Sequence, residues 1–319
     1  YGSIITMLAA VIFNIIFPTL MAQIATSASG WSKLILMLAV PLTAIGLLRM
    51  IFVKEKYTVD AGKADGEKLK VKDIGVVLKT NKYILIIALM TFVFNFVCNM
   101  GVSVYYFTYV VGNVGLMGVL AAAQVISLPL ALAFPKLIAK FSTINLMIAG
   151  FLISAAGYLL NAIAGANMAL LTVGGILTGA GTVPASMLVG LVLIECGDYN
   201  EWKGIHRMDG TMGSINGLAS KVGAAIGTGA LGILLSAVGY NGDAANMPGA
   251  AITMIRLLYG IVPMILYLLT ALTLKGYKLN KMMPQIKADN EQEERKRRKT
   301  NKLCIKRQEC TCQKYGKEK

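Results

Sequence analysis

The chain of 319 residues is 56% hydrophobic and only 15% charged, and its apolar residues gather in runs of about twenty or more, which excludes a soluble globular enzyme and marks an integral membrane protein. A formal net charge of +15 would point to nucleic acid in a soluble chain. Here the basic residues collect in a few loops and the C-terminal tail, so charge marks topology and no nucleic-acid partner is expected.

Tyr1 stands in an apolar stretch with no basic flank, so this stretch reads as a membrane span rather than a signal peptide, and an N-terminal portion is expected ahead of it. Candidate spans are Ser3 to Ala25, Trp31 to Val53, Tyr83 to Val111, Val114 to Phe134, Ile144 to Ala164, Ala169 to Ile194, Gly210 to Gly239 and Ala250 to Leu274. Each can cross about 30 Å of hydrocarbon, which predicts an all-α integral membrane fold of about eight helices. Lys and Arg alternate between their connections: the linker 54–82, the stretch Phe134 to Phe141, the stretch Cys196 to Gly210 and the tail are basic, and the intervening loops are nearly bare. By the positive-inside rule both chain ends are expected in the cytoplasm, in a multi-pass protein of the cell membrane.

Several local features follow in chain order. The linker 54–82 is rich in Lys, Asp and Gly and divides two helices from six, as a domain boundary does. Within it Val71, Ile74, Val77 and Leu78 share a face opposite Lys72 and Lys79, which predicts a short amphipathic helix on the membrane surface or against protein. Arg49 and Arg256 lie near predicted span ends and read as snorkelling anchors. Tyr105, Tyr106 and Tyr109 read as an aromatic belt. Pro184, behind Gly174, Gly175, Gly179 and Gly181, predicts a bend in the sixth span. Five cysteines suggest neither a disulfide framework nor a metal site: Cys98 and Cys196 lie in or beside apolar segments, and Cys304, Cys310 and Cys312 crowd a tail without histidine. The tail 275–319 is expected to be a basic, solvated cytoplasmic segment whose run Arg295 to Lys299 meets anionic lipid. Its last stretch, Lys302 to Lys319, is unlike the rest in composition and reads as foreign to the native coding sequence.

The stretch Gly210 to Tyr240 carries one full charge, Lys221, near its middle. A lysine at bilayer depth costs about 2.5 to 3.5 kcal/mol on insertion scales and usually faces a bundle interior or an aqueous path. At about 100° per residue, Ser214, Gly217, Ala225 and Thr228 share its face, which is small and polar. Lys221 is therefore expected to point into protein, where such a charge marks a substrate or ion path, rather than to reach for headgroups.

Between the sixth and seventh spans runs Glu195-Cys196-Gly197-Asp198-Tyr199-Asn200-Glu201-Trp202-Lys203-Gly204-Ile205-His206-Arg207. His206 is the only histidine, no serine or cysteine is placed beside it as a nucleophile, and catalysis is not expected. The order Asp-Tyr-x-Glu-aromatic-Lys, then Arg, then an intramembrane Lys resembles the glycoside-pentoside-hexuronide:cation symporters, the melibiose permease family of the major facilitator superfamily. Tyr105 to Gly112, Phe134-Pro135-Lys136-Leu137 and Gly239-Tyr240 match the same family, and the resemblance runs from about Tyr1 to Lys281.

That resemblance implies helices five to twelve of a twelve-helix fold. Residues 1–53 would be the last two helices of the N-terminal bundle, 54–82 the central loop, 83–274 the six-helix C-terminal bundle and 275–319 the tail. It also implies that Lys221 lies near the coupling cation and the sugar, that Asp198, Arg207 and Glu195 form salt bridges which break and re-form during alternating access, and that no cofactor is needed. The expected partners are a sugar or glycoside, a monovalent cation such as sodium or a proton, and the lipid bilayer. The expected function is cation-coupled sugar symport, incomplete in the chain as it stands because the family's cation-binding aspartates lie on its first four helices. The alternative is a non-transporting membrane sensor or scaffold of the same fold. A membrane enzyme would need a paired acid and base or metal ligands at depth, and the sequence offers none.

Overall fold

A computed structural model describes residues 27–52, 75, 79–124, 133, 136–138, 140–205, 207–240 and 247–292, and all regular structure among them is helical. Helix α1 is Ala28–Phe52 and α2 is Lys82–Asn99. Helix α3, Val102–Tyr106, continues through a π-helical turn at Phe107–Val111. After a 3-10 turn at Val114–Leu116 come α4 Met117–Gln124, α5 Thr143–Ala164, α6 Met168–Trp202 and α7 Asp209–Ala237. Helix α8, Gly249–Arg256, passes through a second π-helical turn, Leu257–Ile261, into α9 Val262–Leu274. A last helix, α10, covers residues 279–292.

Six stretches among the described residues are long and apolar enough to cross a membrane: Ser29–Leu48, Lys82–Val111, Thr143–Ala164, Met168–Trp202, Asp209–Ala237 and Gly249–Leu274. Each overlies one predicted span. The predicted span Ser3 to Ala25 and the apolar face of the linker helix, Val71, Ile74, Val77 and Leu78, lie outside the described residues, and Val114 to Phe134 is described continuously only as far as Gln124. Polar side chains set the starts: Asn81 accepts from Tyr83 N at 3.1 Å, Ser142 from Asn145 N at 3.4 Å, and Asn167 from Ala169 N at 3.0 Å. Gly101, at φ 70°, separates α2 from α3.

Lipid gives no hydrophobic drive for one helix to bind another, so small residues and interhelical hydrogen bonds decide which helices pair. On α5 and α6 the small residues recur at the same spacing. A Cβ on Gly157 would lie 2.7 Å from Gly174 O, one on Gly150 would lie 2.5 Å from Gly181 O, and Ser154 Oγ donates to Thr178 O at 3.2 Å between them. Helix α7 packs on α2 in the same way, with Gly223 against the Phe92 carbonyl and Gly227 against that of Phe96. Helix α9 joins the two pairs through Tyr267, fully buried, with its ring 5.1 Å from Phe151 of α5 and its hydroxyl 3.9 Å from Cys98 Sγ of α2.

Three readings of the sequence change. The tyrosines of the third span are not a belt of separate anchors: Tyr106 is buried, donates to Gly165 O at 2.8 Å and stacks on Tyr259 at 4.0 Å, and the Tyr109 hydroxyl meets that of Tyr240 at 2.9 Å. The sixth span is longer than the sequence suggests: helix α6, helical through Pro184, extends eight residues beyond Ile194, to Trp202. The tail is not solvated throughout, because Tyr277, Leu279, Met283 and Ile286 are buried in the core. Leu279, Met283 and Ile286 follow at spacings of four and three, which puts them on one face of α10.

Candidate functional site

With 35 residues, α6 is about 50 Å long, more than a hydrocarbon core of about 30 Å requires. Its last turns, Glu195 to Trp202, therefore project beyond that core and can carry charge. After Trp202 the chain turns at Gly204, and Met208 takes up φ 51°, the left-handed region, immediately before α7. Such a backbone costs a non-glycine residue about 1 to 2 kcal/mol, and here it accompanies the return of the preceding residue, Arg207, over the end of α6.

The Arg207 guanidinium binds on two sides. Nη1 lies 2.7 Å from Asp198 Oδ1 and Nε donates to Asp209 Oδ2 at 2.8 Å, with Glu201 Oε2 farther off at 3.9 Å. Gly197 permits this approach, since a Cβ there would strike the Asp209 carboxylate and lie 3.3 Å from Arg207 Cγ. Burial opposes the guanidinium charge, but the bond to Asp209 and the charge of Asp198 outweigh it and raise the pKa above the ordinary arginine value. The Asp198 side chain is 13% exposed against 55% for Asp209, so the two bonds, alike in length, differ in how much water screens them.

Further hydrogen bonds secure the same end of the bundle. Asn81 Nδ2 donates to Asn200 Oδ1 at 2.8 Å and to Cys196 O at 3.1 Å, tying the start of α2 to α6. From α10, Asn290 Nδ2 donates to Asp198 O at 3.0 Å, and Trp202 Nε1 donates to Asp289 Oδ2 at 3.0 Å. Glu195 belongs to this second set. Tyr277 OH donates to its Oε2 at 3.4 Å and the Asn280 amide nitrogen at 3.0 Å, while the Asn280 oxygen accepts from Ile144 N at 3.2 Å and from the Ser142 hydroxyl at 2.6 Å. Burial, reinforced by Cys196 and the Glu195 charge, pushes the Tyr277 phenol far up, so it remains a donor. The sequence grouped Glu195, Asp198 and Arg207 as salt-bridge partners. The structure pairs only the last two, and Glu195 makes no ion pair among the described residues. Asp209, one residue beyond the Met that follows the loop motif, is the member the sequence reading missed. His206 lies outside the described residues.

Lys221 sits at mid-helix on α7, turned by roughly 160° from the Gly223 contact with α2. Ser214, Gly217, Lys221, Ala225 and Thr228 are all exposed. A Cβ on Gly217 would meet nothing within 4 Å, and Lys221 forms no ion pair among the described residues. Thr228 alone reaches a neighbour, donating to Asn99 O at 3.1 Å and to Ala224 O at 3.0 Å. The small residues predicted around the lysine do share its face, but no described helix packs over it, so Lys221, expected to point into protein, is exposed among the described residues.

A cavity of about 280 Å³ lies elsewhere, between α2, α3, α5, α6 and the second π-helical turn. Cys98, Ser103, Tyr158, Asn161, Thr178 and Tyr259 supply its polar groups, and the Asn161 side-chain oxygen Oδ1 is buried with no hydrogen-bond partner among the described residues. None of Glu195, Asp198, Arg207 or Lys221 borders this cavity. Among the described residues no group of three or more His, Cys, Asp or Glu could hold a metal ion.

A family model described as MFS/sugar transport protein matches residues 1–281. The chain belongs to this family. It is 29% identical over 272 residues to the isoprimeverose transporter of Lactiplantibacillus pentosus, a match covering 84% of this chain and 56% of the relative. It is 34% identical over 82 residues, 26% of this chain and 18% of the relative, to YagG of Escherichia coli K12, provisionally named as a glycoside/cation symporter. The symporter YnaJ of Bacillus subtilis 168 is 28% identical over 244 residues, 73% of this chain and 51% of the relative. The chain thus spans about half the length of the isoprimeverose transporter and of YnaJ. The resemblance to glycoside and pentoside symporters is confirmed by these matches. A member of this sugar-transport family needs no cofactor, since a coupling cation is cargo rather than a resident group.

Proposed function

We propose that this chain forms helices five to twelve of a symporter of the cell membrane. That protein moves a sugar or glycoside together with a monovalent cation, sodium or a proton, by alternating access of two bundles, and its C-terminus lies in the cytoplasm. It is a transporter and not an enzyme. The observation that carries the proposal is Lys221: one cation at mid-span, on a stripe of small residues that no described helix covers. A charge at that depth is costly unless a partner or water faces it, and an interface between two rocking bundles supplies both in turn. In this reading Lys221 couples the cation to the sugar. The Arg207–Asp198 pair, with Glu195 beside it, holds the end of α6 to the start of α7 in one conformer and yields in the other. The names of the relatives favour a sugar substrate, and the alternation of loop charge favours the orientation.

The test is uptake of radiolabelled pentosides and hexosides by vesicles holding the full-length protein, under imposed sodium and proton gradients. Accumulation that collapses with one of the gradients is expected. Sugar binding without accumulation under either gradient would contradict symport and favour a sensor.

A further inference from the structure

A second depression lies on the outer surface of the bundle, away from the stripe of α7. It is a groove of about 210 Å³ between α5 and α9, lined by Ile148, Leu152, Leu268, Ala271, Leu272 and Lys275. Three of its leucines remain exposed, Leu152 at 46%, Leu268 at 38% and Leu272 at 58%. Side chains so exposed on a spanning helix meet acyl chains. From Leu268 to Lys275 the groove extends about 10 Å along α9, the depth reached by the upper part of one chain.

Its mouth is basic. Lys275 follows the last residue of α9, where a span reaches the headgroups, and Lys278 stands in the next turn. The bond from the Ser142 hydroxyl to Asn280 at 2.6 Å fastens that turn to the start of α5, and Lys140 lies two residues before Ser142. All three lysines are exposed. Residues 134–150 and 262–287 contain no Asp or Glu. The one carboxylate bonded into this junction, Glu195, is already engaged by Tyr277 and Asn280.

We propose that this groove binds one anionic phospholipid. An acyl chain lies over Leu152, Leu268 and Leu272, and the headgroup phosphate sits among Lys275, Lys278 and Lys140. A zwitterionic lipid fits the apolar part equally well but brings its own cation to a mouth that already holds three. Each lysine near an anionic surface contributes about fivefold in affinity. The site requires only that α9 ends at headgroup level, so it stands whether or not the protein transports sugar.

Native mass spectrometry of the full-length protein, titrated with dioleoyl phosphatidylglycerol or dioleoyl phosphatidylcholine, tests it. The wild type is expected to retain the anionic lipid preferentially. Lys275→Gln and Lys278→Gln should each weaken that retention about fivefold and leave phosphatidylcholine unchanged. Leu152→Trp, which fills the groove from an exposed position, should weaken both lipids. Lys33→Gln, on α1, should weaken neither, and millimolar inorganic phosphate should displace nothing. Equal retention of the two lipids by the wild type would overturn the site. So would unchanged retention in the Lys275→Gln/Lys278→Gln double variant or in Leu152→Trp, a loss from Lys33→Gln equal to that from Lys275→Gln, or displacement by inorganic phosphate.

Discussion

Arg207 provides the sharpest energetic prediction, because its two carboxylate partners lie at nearly the same distance and differ in exposure. An exposed ion pair contributes about 0 to 1 kcal/mol, whereas stranding a fully buried charge costs about 3 to 5 kcal/mol. Asp198, 13% exposed, lies toward the buried limit, and Arg207, 38% exposed, lies toward the surface limit. Arg207→Gln should therefore cost about 2 kcal/mol, between the two ranges. Asp209, 55% exposed, gives up a screened bond and a favourable charge in the first turn of α7, so Asp209→Asn should cost below about 1 kcal/mol. The double variant Arg207→Gln/Asp198→Asn removes the stranded charge as well and should recover more than half of the loss. Reversible unfolding in mixed detergent micelles measures all three. A double variant as unstable as Arg207→Gln alone, or an Asp209→Asn cost equal to that of Arg207→Gln, would refute the reasoning.

Other consequences are read more simply. Gly223→Leu drives a side chain into the Phe92 backbone and should cost more than the usual 1 to 3 kcal/mol or so of overpacking, whereas Gly217→Leu enters open space and should leave folding unchanged; equal yields of folded protein from both would contradict the α2–α7 contact. Ile286→Ala, at a fully buried position of α10, should cost about 2 to 5 kcal/mol, and a stability equal to wild type would detach α10 from the fold. Cysteine at Lys136 should react with a membrane-impermeant maleimide only from the cytoplasm and cysteine at Val114 only from outside, and the reverse pattern would invert the topology.

The spans were legible because about twenty apolar residues bounded by charge can satisfy their backbone in lipid only as a helix. Their pairing was not, although Gly150, Gly157, Gly174 and Gly181 are plain in the sequence, because spacing alone does not say which helix a small face approaches. Helix α10 was hidden for a different reason. Leu279, Met283 and Ile286 stand among so many charges that composition outweighed periodicity. At the candidate site the charged types were readable and their pairing only in part: Arg207 finds Asp198 as expected, but the left-handed turn at Met208 accompanies an Asp209 contact that no motif announced, and Glu195 is claimed by Tyr277 and Asn280 from beyond the last span. The two π-helical turns have no evident signature in Phe107–Val111 or Leu257–Ile261. Lys221 was the most legible residue of all, since one charge in a long apolar run needs no alignment to be noticed.

The central claim is that Lys221 couples cation to sugar from an uncovered face of α7. The direct measurement is cation-dependent sugar accumulation by the full-length protein carrying Lys221→Met, beside Lys33→Gln and Arg256→Gln. The account predicts that Lys221→Met remains folded and inserted yet no longer accumulates sugar against its gradient, while the other two retain most of the wild-type accumulation. Accumulation by Lys221→Met at the wild-type cation dependence would contradict it.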